Sequence, residues 1–219
     1  VLGISVAEAH ELGVFPWEDE FENVFKENGG FDVIAGNPPW GADIENIRPW
    51  IEHDDYGYEL AEGQYDSYEL LIEAGEDILT DSGTLGFIIP DSIFREEHED
   101  LREWLAEHHT LDRVHKLGEG IFEDVWSGTA IVQYTIEESD GTNPVECSVL
   151  RKEDRERMQG TGGSALSTLI DERLNTKPQQ RILDEPDYNF RPFANEADYE
   201  IMDIMETDVV NTYGVLDDS

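Results

Sequence analysis

The sequence predicts an α/β fold built on a largely parallel sheet. The 219-residue chain alternates short apolar runs, rich in β-branched and aromatic residues, with segments whose apolar residues recur at helical spacing. Two of the apolar runs close on proline, which donates no backbone hydrogen bond and therefore ends a strand. The last two strands follow each other with no helix between them, so one of them is expected to run antiparallel.

The first strand carries the main candidate site, in "GGFDVIAGNPPWG", residues 29–41. Its continuous apolar run predicts a central parallel strand covered on both faces. Pro38 and Pro39 end the ladder at Asn37, and Trp40 follows at the exit. Ligands bind at the carboxyl ends of such strands, so the Asn37 amide, the Pro38 carbonyl and the Trp40 ring predict a site for a planar group that carries an amino group. A turn followed by a core-filling tryptophan is the structural alternative.

The other elements follow in chain order. A loop and a short helix precede the first strand, and a long polar segment that resembles an active-site loop follows it. A helix closed by "DSG" leads to a second strand ending at Pro90. A second helix, capped by Asp91 or Ser92, presents Leu101, Trp104, Leu105 and His108 on one face. The predicted segments after the first strand are "YDSYELLIEAGEDIL", "TLGFIIP", "DSIFREEHEDLREWLAEHH", "LDRVHKL" and "TAIVQYTIE".

The composition is strongly acidic. Asp and Glu number 52 against 14 Lys and Arg, giving a formal charge of −38, and the acidic residues are spread along the whole chain. Because 38% of the residues are hydrophobic, a core can form, and this pattern indicates a folded protein from the cytoplasm of a halophile. Acidity argues against a nucleic-acid partner at ordinary ionic strength, but that argument weakens in high salt.

Several other classes of protein are not indicated. The single cysteine, Cys147, provides neither an internal disulfide nor a zinc cluster, and the six histidines show no metal-ligand spacing, so no metal site is expected. No apolar run approaches the length of a membrane span, and no leader peptide is present in the sequence.

The composition of the sequence changes after about residue 150. Residues 151–164 are charged and then rich in glycine, which predicts a linker between residues 1–150 and a second region, residues 165–219. The stretch "QGTGGSAL" is only faintly similar to a phosphate loop, since it follows no strand and lacks the lysine of a nucleotide loop.

Three stretches resemble the catalytic half of the adenine-specific DNA methyltransferases of restriction–modification systems. The resemblance runs from about Phe15 to about Ile136. Within this range the sequence is most similar to the large single-chain type IIG enzymes and to their relatives in phage-exclusion systems. In that family Asn-Pro-Pro-aromatic is the amino-methylation motif, with Tyr or Phe usual where this chain has Trp40. The stretches are "FPWEDEFENVFKENGGFDVIAGNPPWG", "YDSYELLIEAGEDILTDSGTLGFIIPDSIF" and "LGEGIFEDVWSGTAIVQYTIE".

The resemblance implies a Rossmann-like sheet that uses S-adenosylmethionine to methylate the amino group of adenine in double-stranded DNA. It implies that Asn37, Pro38, Pro39 and Trp40 form the catalytic motif, with Asn37 also near the cofactor. Trp40 would stack on the flipped base and Phe122 would touch its other side, although a core phenylalanine is the alternative for Phe122. Ser67 and Leu71 match positions that line the adenine ring of the cofactor, and residues 165–219 would begin a DNA target-recognition region.

The glycine-rich cofactor turn of the family is absent from the 36 residues before Asn37. The chain is therefore expected to be the C-terminal half of the methyltransferase sheet, partnered by the remainder of the same polypeptide. A permuted order, with "KLGEGIFED" as the cofactor turn, is the less favoured account, because no helix follows it.

Two alternative functions stay open. The same motif occurs in enzymes that methylate glutamine in proteins or guanine in RNA, which are usually compact. A non-catalytic remnant serving as an interaction module is the other alternative. A glycine-rich motif encoded before Val1 would favour an enzyme, and a start codon at Val1 would favour the remnant.

Overall fold

Six strands form one mixed sheet in the computed structural model, which describes residues 15–45, 47–52, 57–61, 63, 65–122, 127–159, 161 and 164–213. The strands lie in the order β1-β2-β4-β3-β5-β6. They are β1 Phe31–Gly36, β2 Leu79–Pro90, β3 Thr110–Gly118, β4 Thr129–Thr135, β5 Pro144–Val149 and β6 Asn175–Pro178.

Helices and single turns connect the strands, and none of the described helices is long and apolar enough to cross a membrane. The α-helices are α1 Trp17–Glu20, α2 Glu22–Asn28, α3 Arg48–Ile51, α4 Ser67–Glu73, α5 Glu99–His108, α6 Lys152–Gln159, α7 Leu166–Glu172, α8 Gln180–Leu183 and α9 Glu196–Tyr213. The 3₁₀ turns are Glu59–Ala61, Glu76–Ile78, Asp91–Phe94 and Glu96–His98.

The strand directions bring several strand ends to one edge of the sheet. β1 is parallel to β2, and β3 is parallel to β5, while β4 runs antiparallel to both β2 and β3. The predicted antiparallel strand is therefore confirmed. Thr129 at the start of β4 pairs with Pro90 on one side and with Gly118 on the other. The carboxyl ends of β1, β2, β3 and β5 consequently share the edge at which Asn37 lies.

The core lies between this sheet and helices α4 and α5. The predicted apolar face of α5 is confirmed at Leu101, Trp104 and Leu105, which are buried, whereas the His108 side chain is 49% exposed. Complete burial of one large apolar side chain contributes about 1.5–3 kcal/mol. The sheet residues that pack against these helices include Leu85, Ile89, Leu111, Val114, Val132 and Tyr134.

The prediction that β1 is a central strand covered on both faces is wrong. In the described part of the chain, β1 is an edge strand that pairs only with β2, and Val33 is 66% exposed. An apolar composition shows that a strand is suited to burial, but it does not show that a neighbour is present. The described residues contain no strand or helix next to the outer edge of β1 that would cover it. The two flanking predictions are confirmed, since β1 ends directly before Asn37 and β2 ends at Pro90.

The helix predicted to end at "DSG" is shorter than expected. It ends at Glu73, and β2 already begins at Leu79, so residues 81–83 lie inside the strand. Phe31 pairs with Leu79 but Val33 pairs with Thr84, which means that the intervening residues of β2 bulge out. The prediction that these turn-forming residues end a helix is therefore wrong, because they interrupt a strand.

The predicted cap at Asp91 or Ser92 is also wrong, because α5 begins at Glu99. Residues 91–98 form two 3₁₀ turns instead. The buried Arg102 guanidinium holds them in place, since it donates to the carbonyl oxygens of Ile93 at 2.7 Å and of Asp187 at 2.9 Å. A longer-range contact therefore competes with local capping and displaces the helix start.

Residues beyond 150 continue the same sheet in this structure. Helix α6 lies inside the predicted linker of residues 151–164, and its Met158 packs on Leu117 of β3. The short strands β5 and β6, which were not predicted, extend the sheet. The buried Lys177 of β6 donates to the carbonyl oxygen of Phe190 at 2.6 Å, which fastens the segment before α9.

Candidate functional site

The Asn37–Trp40 turn leaves the carboxyl end of β1. Asn37 is exposed, Pro38 is buried, and Trp40 is partly buried against the core. No hydrogen bond to the Asn37 side-chain amide occurs among the described residues, so both of its functional groups are available to a ligand. The turn therefore presents an amide that no described residue engages, directly before two prolines whose φ is restricted.

Trp40 and Phe122 meet although they are 82 positions apart in sequence. Their ring centroids are 6.4 Å apart and the rings are inclined by 68°, an edge-to-face contact. The Trp40 indole N–H is buried and has no acceptor among the described residues. Phe122 follows the carboxyl end of β3, and Trp40 follows that of β1, so the shared edge brings together these two predicted base-contacting residues.

The N-terminus of α4 holds the segment after Pro38 through side chains. The Ser67 hydroxyl lies 2.8 Å from the Pro39 carbonyl oxygen and 2.9 Å from Asp66 Oδ1, and it can donate its one hydrogen to either. Asp66 Oδ1 accepts the Gly41 N–H at 2.7 Å, and Ser67 Oγ accepts the Ala42 N–H at 3.1 Å. Ser67 is thus buried against the turn, with its hydroxyl engaged by protein groups.

A groove of about 1110 Å³ runs beside the turn and opens along the free edge of β1. Leu71, which is 39% exposed on α4, lines this groove together with Asn37. Burial, and secondly the charge of Glu76, raises the pKa of Asp77 at the groove wall. The remaining lining residues include Phe15, Trp17, Phe31, Ile34, Tyr58 and Phe87.

An aromatic cluster at the start of the described chain forms one side of the groove. Trp17 stacks on Phe21 with ring centroids 5.9 Å apart, and Phe21 meets Phe31 edge to face at 5.2 Å. Phe15 and Trp17 remain 48% and 43% exposed. The sequence analysis did not indicate that these aromatic residues border the groove next to Asn37.

The predicted site residues therefore fall into two groups. Trp40 and Phe122 touch each other, and Asn37 and Leu71 share the groove. Ser67 lies behind the turn and not in the groove lining, which the sequence did not anticipate. The sequence analysis did not identify Asp66 as a site residue. The pattern that could have indicated it is an Asp-Ser pair directly before a helical apolar pattern, which is typical of a helix N-terminus.

Comparisons with known proteins identify the family to which the chain belongs. Residues 5–122 match the model of the Eco57I restriction-modification methylase family. The type II restriction enzyme and methyltransferase RM.Eco57I of Escherichia coli is 31% identical over 131 residues, which are 57% of this chain and 13% of that protein. The chain thus spans about an eighth of the length of that relative.

Solved structures show the same fold at low sequence identity. The type I restriction-modification methyltransferase subunit from Streptococcus thermophilus superposes with a TM-score of 0.52 at 16% identity, covering 82% of this chain and 40% of that one. The type IIG restriction endonuclease BpuSI gives 0.51 at 20% identity, covering 74% of this chain and 21% of that one. Since the family model matches more than half of the 219 residues, the chain belongs to the Eco57I restriction-modification methylase family.

Proposed function

We propose that the complete protein transfers a methyl group from S-adenosylmethionine to the amino group of adenine in DNA, as part of a restriction–modification or phage-defence enzyme. The observation that carries the proposal is the Asn37–Trp40 turn at the carboxyl end of β1, with Asn37 lining the groove and Phe122 against Trp40. Family membership favours DNA over the alternative substrates, protein glutamine and RNA guanine.

The turn has the groups that activation of an amino nitrogen requires. The lone pair of the adenine amino nitrogen is delocalised into the ring, which makes this nitrogen a poor nucleophile. The Asn37 side-chain oxygen and the Pro38 carbonyl would accept its two hydrogens and favour a more tetrahedral nitrogen, whose lone pair is then available for attack. Because the prolines hold both acceptors before the reaction begins, little reorganisation is needed in the transition state.

Trp40 and Phe122 would receive the adenine after it leaves the duplex. Stacking on an aromatic face is worth roughly 1–3 kcal/mol per base, which is on the order of the cost of unstacking. Two parallel rings with a base between them need about 7 Å between their planes, because stacked carbons lie near 3.5 Å apart. The edge-to-face contact at 6.4 Å leaves no such gap, so at least one ring turns when the base enters.

The groove fits one side of S-adenosylmethionine, which when bound supplies a methyl group on an electrophilic sulfonium. Ile34, Phe87 and Leu71 form apolar walls that suit the adenine ring of this cofactor, and the groove reaches Asn37. Asp19 and Asp77 are acidic groups near the rim, suited to hydroxyls or an ammonium group. The described residues form only part of an enclosure, because the groove opens along β1.

The free edge of β1 would be covered by the remainder of the same polypeptide. Among the described residues the outer backbone groups of β1 have no strand partner, and Val33 and Ala35 are exposed, which are features that soluble proteins normally protect. A strand from a preceding segment that carries a glycine-rich cofactor turn would pair there and close the groove. Residues 165–213 would lead into the DNA target-recognition region, although β6 still belongs to this sheet.

The few cations are placed consistently with a DNA partner. Ten of the 14 basic residues, Lys116 among them, form ion pairs with carboxylates, and Arg102 and Lys177 are buried. Among the described residues, Arg151 and Arg155 have no carboxylate partner, and Lys116 is 3.8 Å from Asp91. All three lie near the carboxyl ends of β3 and β5, on the edge shared with Asn37. High salt in a halophile's cytoplasm would screen the remaining negative charge.

The test is methylation by the complete polypeptide in high salt, with isotopically labelled S-adenosylmethionine and duplex DNA, RNA or protein as acceptor. We expect label in DNA, in N6-methyladenine after digestion, and labelling about a hundredfold slower by an Asn37→Ala variant. Label in protein or RNA alone would replace the proposed substrate. Absence of transfer to any acceptor by the unmodified protein would favour the non-catalytic alternative.

A further inference from the structure

The segment after Asn37 is supported almost entirely by side chains. Pro38 and Pro39 have no N–H to donate, and outside the strand ladder no backbone-to-backbone hydrogen bond reaches residues 37–42 within the described chain. Gly41 adopts φ of +61°, in the left-handed region that favours glycine. Local backbone structure therefore does not determine where this turn points.

Two adjacent side chains at the start of α4 supply the missing contacts. Asp66 accepts the Gly41 N–H at 2.7 Å, and Ser67 accepts the Ala42 N–H at 3.1 Å. The Ser67 hydroxyl also lies 2.8 Å from the Pro39 carbonyl oxygen. These contacts bracket Trp40 on both sides, so they determine the path of the backbone that carries its ring.

Asp66 is itself held in place by a hydrogen bond to Glu69. Glu69 Oε1 accepts the Asp66 N–H at 2.9 Å and lies 3.1 Å from His98 Nδ1 in the turn that precedes α5. The Glu69 residue is only 4% exposed. The acceptor for Gly41 is thus fixed to α4 and, through His98, to the segment that follows β2.

We propose that Asp66 and Ser67 are positioning residues that hold Trp40 where an extruded adenine must stack. This inference rests on the proposed function. The family resemblance implied that Ser67 contacts the cofactor, whereas the inference makes it a support for the turn. The reason is that its hydroxyl faces the Pro39–Ala42 backbone. Loss of either side chain should lower the population of the extruded base and leave the affinity for S-adenosylmethionine unchanged.

The experiment measures single-turnover methylation by the complete polypeptide on a duplex with a paired target adenine and on one with a mispaired target. Ser67→Ala and Asp66→Ala are each expected to slow transfer to the paired target about tenfold, the effect of losing one or two hydrogen bonds. The mispaired target, which leaves the stack more easily, should restore most of the rate. The KM for S-adenosylmethionine should stay within about twofold, a change too small to indicate a lost hydrogen bond.

Matched controls separate positioning from general stability. Asp140 accepts the Thr142 N–H at 2.9 Å and Ser164 Oγ donates to the Thr161 carbonyl at 3.0 Å, both in other turns, so Asp140→Ala and Ser164→Ala should methylate both duplexes at the original rate. Asp66→Asn keeps an acceptor for Gly41 and should retain most of the rate on the paired target. This variant decides the question if Asp66→Ala does not fold.

Three results would overturn the inference while the unmodified protein still methylates DNA. They are an unchanged rate in Ser67→Ala, an equal loss on paired and mispaired targets, and a raised KM for S-adenosylmethionine, which would indicate direct cofactor contact. An Asp66→Asn variant as slow as Asp66→Ala would also contradict it. Absence of DNA methylation by the unmodified protein would instead refute the proposed function.

Discussion

Asn37 and Trp40 are proposed to act on different parts of the reaction, and substitutions at the two positions should separate these roles. Asn37→Ala removes an acceptor from the amino group, and a preorganised group of this kind is worth on the order of 3 kcal/mol, or about a hundredfold in rate. DNA affinity should change little, so the loss should appear in the methyl-transfer step. Single-turnover methylation of duplex DNA and a DNA-binding titration in high salt measure the two quantities.

Trp40→Ala should lose rate through the extruded state instead. Trp40→Ala removes a stacking face, whereas Trp40→Phe retains one. Because the Trp40 indole N–H has no acceptor among the described residues, Trp40→Phe loses no hydrogen bond to them and should recover much of the rate. A mispaired target should rescue Trp40→Ala but not Asn37→Ala. Equal rescue of both variants would show that the roles are not divided in this way, and unchanged methylation in both would reduce the motif to a turn.

His115 should make folding stability depend on pH. Burial, and secondly the charge of Arg113, lowers its pKa to about 4, from about 6.5 in an unfolded chain. The neutral ring, 3.0 Å from the Ser148 hydroxyl, is therefore the form that the fold favours. The contribution of the neutral ring to the free energy of unfolding is fully present above pH 6.5. It is lost as the pH falls from 6.5 to 4, and the total loss is about 3 kcal/mol.

The measurement is urea unfolding between pH 4 and 7 of the original protein and of a His115→Gln variant. Many carboxylates also titrate in this range, so the difference between the two proteins is the relevant quantity. That difference in the free energy of unfolding should shrink as the pH falls. A His108→Gln control, whose side chain is 49% exposed, should follow the original protein, and parallel curves for His115→Gln would contradict the assignment.

Among the elements, the two 3₁₀ turns after β2 depend on one buried cation. Arg102 donates to the carbonyl oxygens of Ile93, Arg95 and Asp187, which joins this segment to the C-terminal part of the chain. Arg102→Leu leaves those buried oxygens without donors and should lower the free energy of unfolding by about 3 kcal/mol.

Chemical denaturation checks this value, with Arg113→Leu as the matched control. Arg113 is 48% exposed and pairs with Glu146 at the surface, so its loss should cost less than about 1 kcal/mol. Similar losses in the two variants would mean that the bonds of Arg102 do not determine the stability of this segment.

For the whole molecule, the open groove predicts weak cofactor binding by this chain alone. The described residues provide only part of an enclosure beside Asn37, and the β1 edge is unpaired among them. Calorimetry on the isolated chain in high salt should therefore show no tight binding of S-adenosylmethionine. Addition of the preceding part of the polypeptide should restore it. Micromolar affinity of residues 1–219 alone would favour the permuted arrangement, in which Gly118 and Gly120 belong to the cofactor turn.

Much of the site could be predicted from local chemistry. Two prolines end a strand wherever they occur, so the exit of β1 at Asn37 follows from the residues themselves. The lack of a helix between β3 and β4 likewise required a reversal of direction. The family resemblance also placed Phe122 opposite Trp40 across the flipped base, a proximity that no local pattern could indicate because the two residues follow different strands.

What the sequence alone determined is therefore the presence of strands β1 to β4, the carboxyl ends of β1 and β2, the acidic composition and the motif at the end of β1. The tertiary structure decided which strand lies at the edge, how "DSG" is accommodated as a bulge, where α5 begins, and which side chains support the motif. These features depend on contacts between distant residues, such as Phe31 with Leu79 across the bulge or Asp66 with Gly41 at the turn. A hydrogen bond between residues 25 positions apart depends on the path of the whole chain, and local propensity contains no information about that path.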